Sequence, residues 1–160
     1  MCIRDRAISF GMMLFAQYPD QWDLIREDTS RIRNAIEEIV RLNTPIRGFT
    51  RVTSEAIEVA GLQIEADTRV MMVFGAANRD ASRFPDPDRF NIVRDVRGHV
   101  GFGHGVHACL GMHLARLEIT CLFETLARRV KRFELAGPVV PAINASIYAM
   151  AHVPMKAVLG

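Results

Sequence analysis

The sequence predicts a mainly α-helical protein with small β-sheets, an α+β fold built around one hydrophobic core. Its 160 residues fit one ordinary domain, and an apolar share of 49% is enough to fill a core. Apolar side chains recur at helical spacing in two long stretches, whereas short β-type runs lie between and after them. The formal net charge is only +2, and no basic stripe alternates with aromatic residues, so we expect no nucleic-acid partner.

The first helical stretch covers residues 7–42. Its last helix carries apolar residues at the spacing i, i+4, i+7 and i+8, namely Ile32, Ile36, Ile39 and Val40. Ser30 is predicted to cap this helix, and Thr44-Pro45 is predicted to end it. The helix should therefore bury one face.

Short β-type runs follow at residues 49–52, 57–59, 62–64 and 70–74, and Ala60-Gly61 is typical of a hairpin turn. Residues 80–108 are rich in proline, glycine, aspartate and arginine and are predicted to be irregular. So long an irregular stretch in a compact domain usually has a function.

A second long helix is predicted from Leu110 to Val130, with short strands after it. Leu114, Leu117 and Cys121 are expected on its buried apolar face. The basic run Arg128–Arg132 either complements the helix dipole or forms a docking surface for an electron donor.

The start of the chain predicts neither a membrane anchor nor a secreted protein. Residues 1–6 match no structural pattern, and we interpret them as a non-native leader, so the natural protein is expected to begin upstream of Ala7. The apolar run 7–16 is too short to span a bilayer, and Leu14 is a poor residue for a signal-peptide cleavage site. The three cysteines, Cys2, Cys109 and Cys121, lack Cys-x-x-Cys spacing and favour a reducing cytoplasm.

A glycine-rich segment delivers one of these cysteines to the start of the second long helix. It reads Phe102-Gly103-His104-Gly105-Val106-His107-Ala108-Cys109-Leu110-Gly111. Backbone N–H groups and the dipole at a helix start favour an anion, so Cys109 is placed to be the thiolate ligand of a metal. Gly105 and Gly111 would let the backbone pass close to a flat cofactor.

The pattern Phe102-x-x-Gly105-x-His107-x-Cys109-x-Gly111 resembles the haem-ligand signature of the cytochrome P450 superfamily. The resemblance extends over residues 7–160 and implies the C-terminal part of a single P450 domain. It implies haem b bound through Cys109, with further contacts from Phe102, Gly103, Leu110, Gly111 and Ala115. It also implies that Arg51 and His107 bind the haem propionates, since buried carboxylates call for charged donors.

Two other sets of residues follow from the same resemblance. Glu38-Ile39-Val40-Arg41 is similar to the family's Glu-x-x-Arg helix, whose spacing puts both charges on one face. Arg89, in Pro87-Asp88-Arg89-Phe90, would be the third partner of a buried structural triad. Residues expected to line the substrate pocket are Ile46, Gly48, Phe49, Ile147 and Tyr148.

The resemblance implies a haem-thiolate monooxygenase that inserts one oxygen atom of O2 into a small apolar substrate. Electrons would come from a ferredoxin or a flavoprotein, because no flavin or nicotinamide motif is present. The family's helix above the haem, with its acid-alcohol pair, would lie mostly before Ala7. We therefore expect this chain to be a fragment that is inactive alone.

Other interpretations remain open at this point. The chain could be a non-catalytic haem-binding or sensing protein, or a truncated product with no stable fold. A zinc site is another alternative, because four histidines lie near Cys109 in the sequence, namely His99, His104, His107 and His113. Their spacing fits no structural zinc finger.

Overall fold

The computed structural model describes residues 3–144 and 147–160, without the side chains of residues 3 and 4. The α-helices of this part are α1 (Ile3–Gln17), α2 (Pro19–Glu27), α3 (Ile32–Asn43), α4 (Phe74–Ala77) and α5 (Met112–Arg129). The strands are β1 (Gly48–Val52), β2 (Ile57–Val59), β3 (Leu62–Ile64), β4 (Arg69–Val73), β5 (Val130–Leu135), β6 (Val140–Pro141), β7 (Met150–His152) and β8 (Met155–Leu159). The strands pair antiparallel as β1–β4, β2–β3, β5–β8 and β6–β7. The predicted α+β class is confirmed.

An aromatic cluster ties the helices to β5. The ring of Phe15 in α1 lies 4.9 Å from that of Trp22 and 5.5 Å from that of Phe123 in α5, centroid to centroid. The buried Trp22 indole donates a hydrogen bond to the Val130 carbonyl at 3.1 Å, so its polar N–H is not stranded in the core. Helix α3 packs into the same core through its four predicted apolar residues, each at most 1% exposed.

The ends of α3 explain its position. Thr44 adopts a left-handed conformation, with φ of 39°, and ends the helix where it was predicted to end. The predicted Ser30 cap is wrong: the Asp28 carboxylate accepts the Ser30 backbone N–H at 3.0 Å and caps a 3-10 turn that precedes α3. Aspartate suits this place because its short carboxylate reaches the free N–H groups of the first turn.

Helix α5 turns a different face to the core than the sequence predicted. Its buried residues repeat every four positions, at Ala115, Ile119, Phe123 and Ala127. Leu114 and Leu117 are each 60% exposed, and Cys121 is exposed as well, so their predicted burial is wrong. The helix is apolar on two faces, and only the face with Phe123 meets the aromatic cluster.

The remaining segments agree with the sequence in part. The Ala60-Gly61 turn joins β2 to β3 as predicted, with both residues at positive φ. Residues 80–108, predicted to be irregular, run as turns with a 3-10 turn at Gly105–His107. Residues 3–6 form the start of α1, and Cys2 lies outside the described residues. No helix of the described part is long and apolar enough to cross a membrane.

Candidate functional site

A cavity of about 360 Å³ opens beside Cys109. One wall is the cysteine loop, which we define as residues Phe102–Gly111, together with Gly101. The other wall comes from β1, β4 and their flanking residues, namely Ile46, Phe49, Arg51, Met72 and Phe74. A larger groove of about 590 Å³ lies between α3 and α5, but it has neither a cysteine nor an aromatic side chain in its lining. The smaller cavity is therefore the candidate site.

The cysteine loop is closed by its own backbone. The Cys109 N–H donates to the Phe102 carbonyl at 2.8 Å, and the Ala108 N–H donates to the Gly105 carbonyl at 3.0 Å. Gly103 and Gly105 have φ of 76° and 66°, where a side chain would be strained. Helix α5 begins three residues after Cys109, whose carbonyl accepts the Met112 N–H at 3.2 Å. The loop thus holds a half-buried free thiol at the cavity wall.

Most of the residues that the resemblance assigned to cofactor binding meet at this cavity. Cys109, Phe102, Gly103 and Leu110 come from the loop, and the two expected propionate donors, Arg51 and His107, lie on opposite walls. Ile46 and Phe49, expected to line a substrate pocket, share the same cavity.

Other predicted site residues are not in the lining of this cavity. Ala115 is buried on α5, and Gly111 stands open, with no atom within 4 Å of the place where a side chain would begin. A Cβ at Gly48 would meet the Met72 carbonyl, so Gly48 permits the close pairing of β1 with β4. Ile147 forms a β-bridge with Ile46, and the Tyr148 ring packs 4.2 Å from the Arg47 guanidinium.

The Glu38–Arg41 pair is fully buried. Arg41 donates to the two carboxylate oxygens of Glu38 at 2.7 and 3.0 Å, and both side chains have zero exposure. Arg41 also donates to the carbonyls of Asn78 and Pro87, which lie on the irregular segment. The pair therefore anchors that segment to α3.

The expected third partner, Arg89, is replaced by Arg94. The Arg94 guanidinium lies 3.2 Å from Glu38, whereas the Arg89 side chain is exposed and only its carbonyl takes part, as an acceptor from Arg94. Glu38 also accepts the Asn91 N–H at 3.1 Å. Because these donors already satisfy the buried carboxylate, Arg89 is left to solvent.

The neighbouring carboxylate, Glu37, holds a second network that the sequence did not predict. Its two oxygens accept hydrogen bonds from Arg116 at 2.6 and 2.9 Å, and one of them lies 2.9 Å from His99 Nε2. Burial alone would raise the pKa of Glu37, but the hydrogen bonds and charges of His99 and Arg116 outweigh it and lower the pKa from 4.5 to about 2. The pKa of Arg116 is raised, because its hydrogen bond to Glu37 and the charge of that carboxylate outweigh the lowering effect of burial.

Of the site residues that were not predicted, some could have been recognised from a pattern in the sequence and others could not. Glu37 stands beside Glu38, and a helix that presents two consecutive carboxylates to the protein interior could have drawn attention to both. Arg94, Met72 and Phe74 left no such signal, because partners in an irregular segment or beside a short strand have no fixed spacing. Among residues 3–144 and 147–160, no three histidine, cysteine or acidic side chains converge as a metal-binding group.

The cavity has the surface that is required by a flat apolar ring that carries two carboxylates. Leu110 beside the thiol is 98% exposed and Phe49 opposite it is 49% exposed, so apolar surface is uncovered on both walls. Arg51 and His107 supply donors for two carboxylates at the rim. The residues present therefore fit haem with a cysteine ligand.

Comparison with known proteins identifies what this arrangement is similar to. The family model described as Cytochrome P450 matches residues 14–146. The chain is 41% identical to Cytochrome p450 CYP199A2 of Rhodopseudomonas palustris over 93% of its own length, and 39% identical to 6-deoxyerythronolide B hydroxylase of Saccharopolyspora erythraea, also over 93%. The crystal structure of CYP108D1 from Novosphingobium aromaticivorans superposes on 99% of the chain with a TM-score of 0.93 at 31% identity.

The match covers much less of the other proteins than of this chain. The chain spans 36% and 38% of the two relatives and 38% of the CYP108D1 structure.

Proposed function

The chain belongs to the cytochrome P450 family, as the resemblance predicted, and on this premise we propose that it is the C-terminal, haem-binding portion of a haem-thiolate monooxygenase. The whole protein of which these residues are proposed to be a part is called the parent protein below. The main support for this proposal is the half-buried Cys109 thiol, which lies at the wall of a cavity whose other polar groups include Arg51 and His107.

In this proposal Cys109 is the iron ligand of haem b, and Arg51 and His107 bind its two propionates from opposite walls. Phe102, Gly103 and Leu110 would contact the ring from the cysteine loop. Gly111 and Ala115, which do not line the cavity, would contribute to the same surface from the start of α5. When bound, thiolate-ligated haem supplies the activation of dioxygen by which one oxygen atom enters a C–H bond of a small apolar substrate.

In this proposal, residues of this chain hold the cysteine ligand, orient the loop that carries it and exclude water from the cavity. The hydrogen bond from the Cys109 N–H to the Phe102 carbonyl fixes the backbone that carries the thiol. The network of Glu38, Arg41 and Arg94 fixes the segment that leads into the loop. Ile46 and Phe49 offer apolar surface to a substrate. Gly48 pairs with Val73 across β1 and β4, Ile147 forms a β-bridge with Ile46, and the Tyr148 N–H donates to the Pro45 carbonyl, so these residues hold that wall in place.

The remaining partners are proposals from the family. Two electrons would arrive from a ferredoxin or flavoprotein, and the few unpaired cysteines favour a cytoplasmic setting. Residues 1–6 are proposed to be a non-native leader, although residues 3–6 continue α1.

Thiolate ligation is tested on the haem-loaded parent protein by reduction and addition of carbon monoxide. We expect a Soret band shifted strongly to the red of a histidine-ligated globin, and Cys109→His should abolish the shift. The control is Cys121→Ser, which changes an exposed free cysteine on α5 and should leave the band in place. A Cys109→His protein that keeps the shift would show that another residue is the ligand. A normal band without product formation on supply of electrons would instead favour the non-catalytic sensor.

A further inference from the structure

Glu37 connects two residues that flank the cysteine loop, one on each side of it. His99 precedes the loop by three residues, and Arg116 follows Cys109 by seven, on α5. Both side chains bind the same carboxylate, which stands on α3. A single side chain therefore fixes where the loop begins and where the helix after it stands.

The hydrogen bonds around His99 define how the first end is held. The Gly101 N–H donates to His99 Nδ1 at 3.2 Å, and His99 Nε2 lies 2.9 Å from the Glu37 carboxylate, so both ring nitrogens have a partner. Gly101 itself lies against Val40, and a Cβ there would come within 2.6 Å of the Val40 side chain. The contact from Glu37 through His99 thus sets the backbone directly before Phe102.

On the other side of the loop, Arg116 of α5 packs its guanidinium against the aromatic ring of Phe102. The Arg116 guanidinium carbon lies 4.7 Å from the centroid of the Phe102 ring, and the His99 ring lies 6.2 Å from the same ring. Phe102 is 6% exposed, and its carbonyl accepts the Cys109 N–H. Whatever shifts Arg116 or His99 therefore shifts the group that fixes the cysteine backbone.

We propose that Glu37 is a positioning residue: by binding His99 and Arg116 at once, it holds Phe102 and the cysteine loop in the geometry that keeps Cys109 on the iron as a thiolate. The proposal rests on the proposed function. Glu37 acts separately from Glu38, because Glu38 binds Arg41, Arg94 and the backbone of the preceding segment, whereas Glu37 binds His99 and Arg116, which flank the loop. The bidentate contact with Arg116 gives a fixed orientation that a single hydrogen bond would not.

The test compares Glu37→Gln with wild type in the haem-loaded parent protein. The amide keeps the size of the side chain but loses the charge and one acceptor. We expect the reduced carbon monoxide complex to divide between the red-shifted thiolate band and an unshifted band, and haem to leave the protein at least about tenfold faster, a change of 1.4 kcal/mol in the barrier. The matched control is Glu134→Gln, which removes an exposed carboxylate that also lies 2.6 Å from an arginine, Arg132, on β5.

The outcomes separate a positioning role from a structural one and from a failure of the proposed function. If Glu37→Gln lowers the yield but the holoprotein that remains has the wild-type band ratio and haem release, the role is structural and the proposal fails. If wild type itself lacks the red-shifted band, the proposed function fails. Should Glu37→Gln give too little holoprotein, Arg116→Lys keeps the charge but loses the bidentate contact, and an unchanged band ratio in that variant overturns the proposal.

Discussion

At the scale of single residues, the buried triad shows how far a motif determines a contact. The Glu-x-x-Arg spacing fixes Glu38 and Arg41 on one helical face, because i and i+3 are neighbours in any α-helix. The third partner comes from an irregular segment whose path depends on its turns, so Arg89 was the wrong choice and Arg94 occupies the place. The pair of Glu38 with Arg41 could therefore be predicted from the sequence, whereas the pair of Glu38 with Arg94 could not.

This difference gives a paired prediction. Arg94→Met should lower the free energy of unfolding by about 2 kcal/mol or more, because it removes a charged partner of a fully buried carboxylate and the hydrogen bonds to Asp86 and Arg89 carbonyls. Arg89→Met, at an exposed side chain, should change it by less than about 0.5 kcal/mol. Urea denaturation of both variants measures the two values. Equal losses of unfolding free energy in the two variants would show that the Arg89 side chain also takes part in the network around Glu38.

The titration of Glu37 gives a second prediction at this scale. Its pKa is about 2 in the folded chain and 4.5 as an ordinary glutamate, so the folded state favours the charged carboxylate beside His99 and Arg116. A lowered pKa contributes stability that is fully present above about pH 5 and is lost as the pH falls from there towards about 2. The stability gap between wild type and Glu37→Gln should therefore be constant near neutral pH and should narrow below about pH 4.5. A gap that stays constant down to about pH 3 would contradict this assignment.

At the scale of elements, α5 is the clearest case in which periodicity was not enough. The pattern predicted the extent of the helix to within two residues at its start, but an apolar stripe exists on either side of it. Which stripe faces inward was decided by tertiary contacts, since Phe123 meets Phe15 and Trp22 of α1 and α2. In α3, by contrast, the four predicted apolar residues are all buried.

The two stripes of α5 can be separated by mutation. Phe123→Ala should lower the free energy of unfolding of the chain by about 3 to 5 kcal/mol, because it leaves a cavity among aromatic rings. Leu117→Ala, at a side chain that is 60% exposed, should cost less than about 0.5 kcal/mol. Thermal or urea denaturation of the 160-residue chain provides the comparison. A larger loss for Leu117→Ala would mean that the helix packs with its other face.

At the scale of the whole molecule, the fold class and the position of the cysteine loop could be read from the sequence because both depend on local patterns. The cavity could not, because its second wall comes from β1 and β4, about forty to sixty residues before Cys109. The cysteine loop, which forms the first wall, shows how open the site is in this chain. Leu110 is 98% exposed beside the thiol, and Val106 is 97% exposed in the same loop.

That exposure leads to the prediction for catalysis. The chain spans less than two fifths of the length of the relatives it matches, and the apolar surface around Cys109 is uncovered. Water is then not excluded from the site, and two electrons with two protons can reduce dioxygen to hydrogen peroxide instead of supporting product formation. Supplied with haem, an electron donor and a substrate of the parent protein, residues 1–160 alone should therefore form little or no hydroxylated product per electron consumed. The measurement is product and peroxide per electron for this chain and for the parent protein side by side, and equal coupling in the two would mean that these residues carry the whole active site.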